Sequence, residues 1–252
     1  MARKQSTGAD RARAGRVTLS VPSTFAQYKT LLAKDLQQEF RTKEMLTSMG
    51  IYALLVLIVY GAALGQTAQA TDVLQLSGGL LWALIVFTSL LGLNRSFNHE
   101  KEQGCMEGIL LVPMDRSVIF LAKATSNLLF LLMVEVIAVP LFWFFFLTTA
   151  QPGPDFMLMA VPLTVGTVGV AGIGTLLSTI TVNTRGKDVM LAVLFVPLIF
   201  PLLYACASAT TAVVVGAEGY LDVFTQSMAL AGGYDVIMLL VSWVLYDFVI
   251  SA

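Results

Sequence analysis

The segment from Gly92 to Lys123 reads "GLNRSFNHEKEQGCMEGILLVPMDRSVIFLAK" and lies between two almost uncharged stretches. Those apolar stretches run from Leu76 to Leu93 and from Leu128 to Leu147. We call the segment the island. Its titratable residues are Arg95, His99, Glu100, Lys101, Glu102, Glu107, Asp115, Arg116 and Lys123. A charged segment between two long apolar runs is typical of a loop that joins two membrane-spanning helices.

The island contains a short apolar ridge that is bracketed by Gly104 and Pro113. Proline cannot continue a helix and disfavours helical geometry in the residue before it. The pattern therefore predicts an amphipathic helix of about residues 99–111 at the membrane surface. Such a helix, with an apolar ridge flanked by acidic residues, can serve as a docking surface through which another protein moves the membrane helices. The residues we assign to this docking surface are Glu102, Gly104, Met106, Glu107, Leu110, Leu111 and Pro113.

The composition is that of an integral membrane protein. Of the 252 residues, 57% are hydrophobic and 12% are charged, and the mean hydropathy is +0.80. Soluble domains carry about 25% charged residues, twice this fraction. Residues 1–22 are polar and basic, and we predict a disordered tail there. Residues 23–252 then form a single membrane domain, for which nothing in the sequence indicates a nucleic-acid partner.

Six apolar runs are long enough to cross a bilayer, since about 20 residues are needed for a hydrocarbon core of about 30 Å. Backbone groups cannot stay unpaired in lipid, so these runs should be helices in an all-α fold. The predicted spans are residues 46–64, 76–97, 128–147, 157–180, 189–212 and 227–248. Glycines in the fourth span, and Gly61 and Gly65 in the first, are interpreted as sites of close intrachain helix packing.

The basic residues predict the orientation. With the amino terminus inside, all 15 Lys and Arg residues fall on the cytoplasmic side. The charged residues of the loops on the opposite side are all acidic. This distribution obeys the positive-inside rule and places both termini in the cytoplasm. Residues 213–226 are long for a turn and mildly amphipathic, which indicates a segment that dips into the outer leaflet.

Residues 23–44 have the pattern of an amphipathic helix. Their apolar residues recur at steps of three and four, and polar residues occupy the opposite face. The apolar set is Phe25, Tyr28, Leu32, Leu36 and Phe40, and the polar set is Lys29, Lys34, Asp35, Gln38 and Arg41. A segment that is polar for the most part but carries a clear apolar stripe favours a helix that lies flat in the headgroup region on the cytoplasmic side.

No catalytic or metal-binding constellation is recognisable. His99 is the single histidine, and one histidine without a neighbouring Cys or acid at ligand spacing does not make a metal site. The sequence lacks a Gly-rich phosphate loop, so if ATP is used, another chain binds it. We therefore expect a protein that is not itself an enzyme and that binds no cofactor directly.

Polar residues inside the predicted spans are the remaining candidates. Glu135 lies deep in the third span, where an ionisable group either serves function or makes a hydrogen bond to a neighbouring helix. Asn127, two turns away on the same face, can share either role. Asp235 is placed near one end of the last span and is expected to be wetted at the interface. Arg95 and Asn94 are interpreted as snorkelling to lipid phosphates.

With these residues in view, the chain resembles the cytochrome c maturation protein B family, the haem exporter B permeases. The resemblance covers about residues 25–212 and is carried by "GLNRSF" at 92–97, by Pro113, and by "DRS" at 115–117. Further residues that carry it are Asn94, Arg95, Asp115, Arg116, Lys123, Asn127 and Glu135. The likeness implies a permease of type-2 ABC exporter fold, present in two copies because ABC ATPases act as dimers.

The family also implies partners. These are a separate CcmA-like ATPase, a CcmC-like haem-handling membrane protein, a small CcmD-like protein and a CcmE-like haem chaperone. Such a complex would use ATP in the ATPase to deliver haem or to release the haem-loaded chaperone. Two alternatives remain open: a type-2 ABC exporter permease for a lipid, drug or polysaccharide, and a membrane scaffold that transports nothing.

Overall fold

The computed structural model of the chain describes residues 23–64, 70–102, 116–147, 156–181 and 187–251. The basic tail predicted for residues 1–22 lies outside this range. The helices in chain order are α1 (Thr24–Thr42), α2 (Glu44–Leu64), α3 (Ala70–Glu102), α4 (Arg116–Phe142), α5 (Phe156–Thr181), α6 (Lys187–Val215) and α7 (Tyr220–Ser251). A π-helical turn, Trp143–Leu147, extends α4.

The predicted all-α membrane fold is confirmed. Helices α2 to α7 are each long and apolar enough to cross a bilayer, and the amphipathic α1 precedes them. Ser23 caps α1, because its hydroxyl accepts a hydrogen bond from the backbone N–H of Ala26. Lys43 then adopts a left-handed conformation, with φ of 54°, and α2 begins at the next residue.

Several helices are longer than the apolar runs predicted. Helix α3 continues without a break to Glu102, so residues 99–102 extend the second span and do not begin a separate helix. The rest of the predicted surface helix lies outside the described residues. Residues 213–226 do not form a separate segment, since Val215 ends α6 and Tyr220 begins α7. The turn between them places two glycines at positive φ, 62° and 77°, a conformation glycine adopts without steric cost.

Helices α3 and α5 lie at the centre of the bundle. More than half of the membrane-crossing window of each is buried, against about a fifth for α2 and α7. The core contains fully buried Trp82, Phe142, Phe195 and Ile173. The outer helices present exposed Ile, Leu and Val side chains, which suits contact with lipid tails. The basic residues Arg95 and Arg116 fall at one end of this bundle, which we call the basic end.

Glycines allow the central helix α5 to pack closely. An added Cβ at Gly166 would meet the Trp82 ring at 2.0 Å, and one at Gly174 would meet Leu93 at 2.2 Å. Gly169 and Gly172 are equally tight against α7. The predicted role in close packing is thus confirmed for the glycines of α5. It is wrong for Gly61, where an added Cβ would have no atom of another helix within 4 Å. Gly65 lies outside the described residues.

Candidate functional site

A buried ion pair joins α1 to α4 at the basic end. Lys123 Nζ lies 2.8 Å from Asp35 Oδ2, and the Ser126 hydroxyl oxygen, which is 2.6 Å from the Ala122 carbonyl oxygen, is 3.1 Å from the same Asp35 oxygen. The side chains of Lys123 and Asp35 are only 6% and 9% exposed. Charges removed from water in this way require a close partner. The ion pair therefore holds α1 to α4.

Further contacts support the same junction. The Tyr28 hydroxyl donates to Thr125 Oγ1 at 3.2 Å. Leu31 is buried in a small apolar cluster with Phe120 and Tyr246, whose ring centroids are 5.0 Å apart. This cluster is separate from the main core of the bundle. Helix α1 is therefore attached to the bundle by its own packing as well as by charge.

The structure corrects the predicted faces of α1. Asp35 does not lie on an outer polar face. At 100° per residue it shares the bundle-facing side with Gln27 and Leu31, eight and four residues earlier. Phe25 and Phe40 point away from the bundle and are more than half exposed. The periodicity of the sequence did not reveal this arrangement, because residue type alone does not show whether an aspartate is buried in an ion pair or exposed to solvent.

A second ion pair crosses the basic end between α2 and α3. Arg95 Nη1 lies 2.7 Å from Glu44 Oε1, with both side chains largely exposed. The Arg95 guanidinium thus has a protein partner in Glu44, and its snorkelling to lipid phosphates stays a prediction. Asn94, the preceding residue, is half-buried. An exposed pair contributes little stability, about 0–1 kcal/mol.

The junction between α1 and α2 is also fixed by a side chain. Glu39 Oε1 accepts a hydrogen bond from the backbone N–H of Leu46 at 2.8 Å. The first backbone N–H groups of a helix have no partner within the helix, so a carboxylate there both satisfies one and complements the helix dipole. The backbone N–H of Lys43 bonds to the Glu39 carbonyl. One residue of α1 thus holds the start of α2.

Most of the predicted docking residues lie outside the described ranges. The residues that lie outside the described range are Gly104, Met106, Glu107, Leu110, Leu111, Pro113 and Asp115. Glu102 is the last residue of α3, and Arg116, half-buried, is the first of α4. The segment predicted to dock therefore connects α3 and α4, each of which carries an ion pair to another helix.

Asn127 and Glu135 form hydrogen bonds between α4 and α5. Asn127 Nδ2 donates to Thr175 Oγ1 at 2.9 Å, and Glu135 Oε1 lies 2.7 Å from Thr167 Oγ1. All four residues are buried. Of the two interpretations of Glu135, the interhelical hydrogen bond is the one that the geometry displays. Asn127 and Glu135 of α4 thus both contact α5.

Asp235 is a buried acid that sequence reasoning placed wrongly. It is the sixteenth of the 32 residues of α7 and is 5% exposed, so it is not wetted at an interface. Within the described residues its Oδ1 has no hydrogen-bond partner, and it lies against the Cα of Gly169. The sequence did not indicate that Asp235 lies in the middle of its helix, because α7 begins seven residues before the predicted span, about 10 Å along the helix axis.

The polar contacts at the basic end link four helices to one another. Within the described ranges, no three His, Cys, Asp or Glu side chains lie together as metal ligands do. What the basic end offers is a set of polar links that join α1 to α4, α1 to α2, and α2 to α3. A displacement applied between α3 and α4 would therefore reach all four helices.

Comparison with known proteins gives a consistent result. The family model described as "CcmB protein" matches residues 26–251. "Heme exporter protein B" of Pseudomonas aeruginosa is 28% identical over 206 residues, which is 81% of this chain and 90% of that protein. The proteins of the same name from Rhodobacter capsulatus and Paracoccus denitrificans are 26% and 25% identical, covering 69% and 75% of this chain and 78% and 85% of theirs.

Proposed function

This chain belongs to the CcmB family, and on that premise we propose that it is the permease subunit of an ABC complex that serves cytochrome c maturation. It is a transporter membrane component of the haem exporter type. In the proposed complex, ATP hydrolysis takes place in a separate CcmA-like ATPase. The subunit lies in the bacterial cytoplasmic membrane with both termini inside.

The observation that carries the proposal is the buried ion pair between Asp35 of α1 and Lys123, the last residue of the island. Lys123 lies seven residues into α4, which begins where the docking segment ends. Arg95 lies in α3, seven residues before that helix ends at Glu102. A push on residues 103–115 would therefore act directly on two helices whose ion pairs reach α1 and α2. This is how ATPase closure would rock the bundle.

The docking segment is proposed to enter a cleft of the ATPase. Met106, Leu110 and Leu111 supply the apolar anchor, and Glu102 and Glu107 meet basic residues at the rim of the cleft. Interfaces commonly divide their work in this way, with a few buried anchors providing most of the affinity and a charged rim providing specificity. Two permease copies would match the two ATPase subunits.

Replacing Leu110 by alanine and Glu107 by glutamine in one protein should release the ATPase. Truncating an anchor typically costs about 2–4 kcal/mol of binding, so we expect the dissociation constant to rise at least about 30-fold. The measurement is affinity capture of the permease in detergent, followed by quantification of the ATPase that remains bound.

The matched control is Leu221→Ala with Glu218→Gln, which makes the same chemical changes at exposed positions at the opposite end of the bundle. The control should keep the full amount of ATPase. If the island variant binds the ATPase as well as the control does, the docking assignment is wrong.

The remaining partners follow from the family and are also proposals. A CcmC-like protein would handle haem, a CcmD-like protein would be an accessory, and a CcmE-like chaperone would leave the complex loaded with haem. Because no haem ligand is evident from the sequence, we assign this subunit a mechanical role. Haem is then the cargo of the complex, and neither it nor ATP is a resident cofactor of this chain.

Deletion of the gene tests the function. We expect c-type cytochromes to disappear from a haem-stained gel of membrane and periplasmic proteins, and a plasmid copy of the wild-type gene to restore them. The double island variant should restore none. Normal c-type cytochromes in the deletion strain would instead favour the alternative, a type-2 exporter for a lipid, drug or polysaccharide.

A further inference from the structure

The contact between α4 and α5 contains two polar rungs of the same construction. Asn127 faces Thr175, and Glu135, eight residues later on α4, faces Thr167, eight residues earlier on α5. The equal and opposite steps place both rungs on one antiparallel seam. Each threonine hydroxyl also lies near the carbonyl four residues before it. The distances are 2.6 Å from Thr175 to the Ala171 oxygen and 2.7 Å from Thr167 to the Leu163 oxygen.

The number of hydrogens distinguishes the two rungs. A threonine hydroxyl has one hydrogen to donate and can accept others. In the first rung, Thr175 donates to its own helix and accepts the amide hydrogen of Asn127, so every contact is a hydrogen bond. In the second rung, an ionised Glu135 has no hydrogen, and Thr167 would have to supply one hydrogen to two oxygens, each 2.7 Å away. That rung is complete only if the carboxyl group is the donor.

The surroundings of Glu135 support the same assignment. Its side chain is buried, and an ionised carboxylate in the interior of a membrane bundle needs a cation or several donors. Lys123, the buried lysine of the same helix, is twelve residues away, about 18 Å along the axis. It is already engaged with Asp35. Among the described residues, the Glu135 carboxyl group makes its side-chain hydrogen bond with Thr167.

We propose that Glu135 is held as a carboxylic acid that donates a hydrogen bond to Thr167, which makes the seam between α4 and α5 a proton-binding site. The rung closes only while the two helices are packed, because donor and acceptor lie on different helices. The proton on Glu135 therefore completes a hydrogen bond that joins α4 to α5. This inference rests on the hydrogen-bond geometry and does not depend on haem or on the ATPase.

Infrared spectroscopy of the purified chain in lipid nanodiscs at neutral pH tests the proposal. A protonated carboxyl group gives a C=O stretch above the amide bands, and the band moves to lower frequency in D2O. We expect this band in the wild type, its loss in Glu135→Gln, and its retention in Asp235→Asn, which changes the buried acid of α7. The glutamine variant can still donate to Thr167 through its amide, so we expect it to fold.

A spectrum in which Glu135→Gln removes no such band would overturn the proposal. Should that variant fail to accumulate, wild-type protein carrying ¹³C-labelled glutamate supplies the same information. A label-sensitive acid band that shifts in Thr167→Val, which loses the acceptor, supports the proposal, and the absence of a label-sensitive acid band refutes it.

Discussion

Replacing Lys123 by methionine is expected to lower the free energy of unfolding by about 3 kcal/mol. The substitution leaves the Asp35 carboxylate nearly buried without the cation that lies 2.8 Å from it. Removing one partner of a buried pair costs about 3–5 kcal/mol, and the lower end applies because Lys34 lies 3.5 Å from the other carboxylate oxygen. Reversible unfolding in mixed detergent micelles, followed by tryptophan fluorescence, measures the change.

Two variants make the measurement specific. Arg95→Met breaks the exposed pair with Glu44, for which we expect a loss of only about 0–1 kcal/mol. Adding Asp35→Leu to Lys123→Met removes the uncompensated charge, so most of the lost stability should return. Equal losses for Lys123→Met and Arg95→Met would show that the buried pair is not what holds α1 to the bundle.

Alanine at Gly166 is expected to cost about 1–3 kcal/mol or more, and to reduce the yield of folded protein. The new Cβ would lie 2.0 Å from the Trp82 ring, far inside van der Waals contact. Trp82 has little freedom to move, because it is fully buried and its Nε1 donates to Thr210 at 3.0 Å. Overpacking would therefore push α3 and α5 apart. The unfolding assay in mixed micelles detects the loss.

Gly61→Ala is the control for this prediction. It introduces the same methyl group at a glycine that has nothing within 4 Å of the added Cβ. Alanine favours a helix over glycine by about 1 kcal/mol, so the control should be neutral or slightly stabilised. A loss at Gly61 as large as that at Gly166 would mean that helix propensity or insertion, and not the contact with Trp82, governs the effect.

The sequence predicts some of the interhelical polar contacts only in part. It singled out Glu135 and Asn127 of the third span as candidate polar residues, and both make interhelical hydrogen bonds. It did not identify their partners, since Thr167 and Thr175 are two among many threonines in apolar runs. Asp235 was misplaced because the start of α7 is determined by a two-glycine turn that has no apolar signature.

The amino-acid sequence by itself determined that this is a six-helix membrane protein preceded by an amphipathic helix. A bilayer accepts only long apolar segments with internally paired backbones, so length and composition are sufficient. Only the tertiary structure decided which charges pair, that Asp35 turns inward to Lys123, and which glycines are in tight contact. The reason is that these outcomes depend on the register and rotation of helices distant in sequence, which periodicity along one helix does not contain.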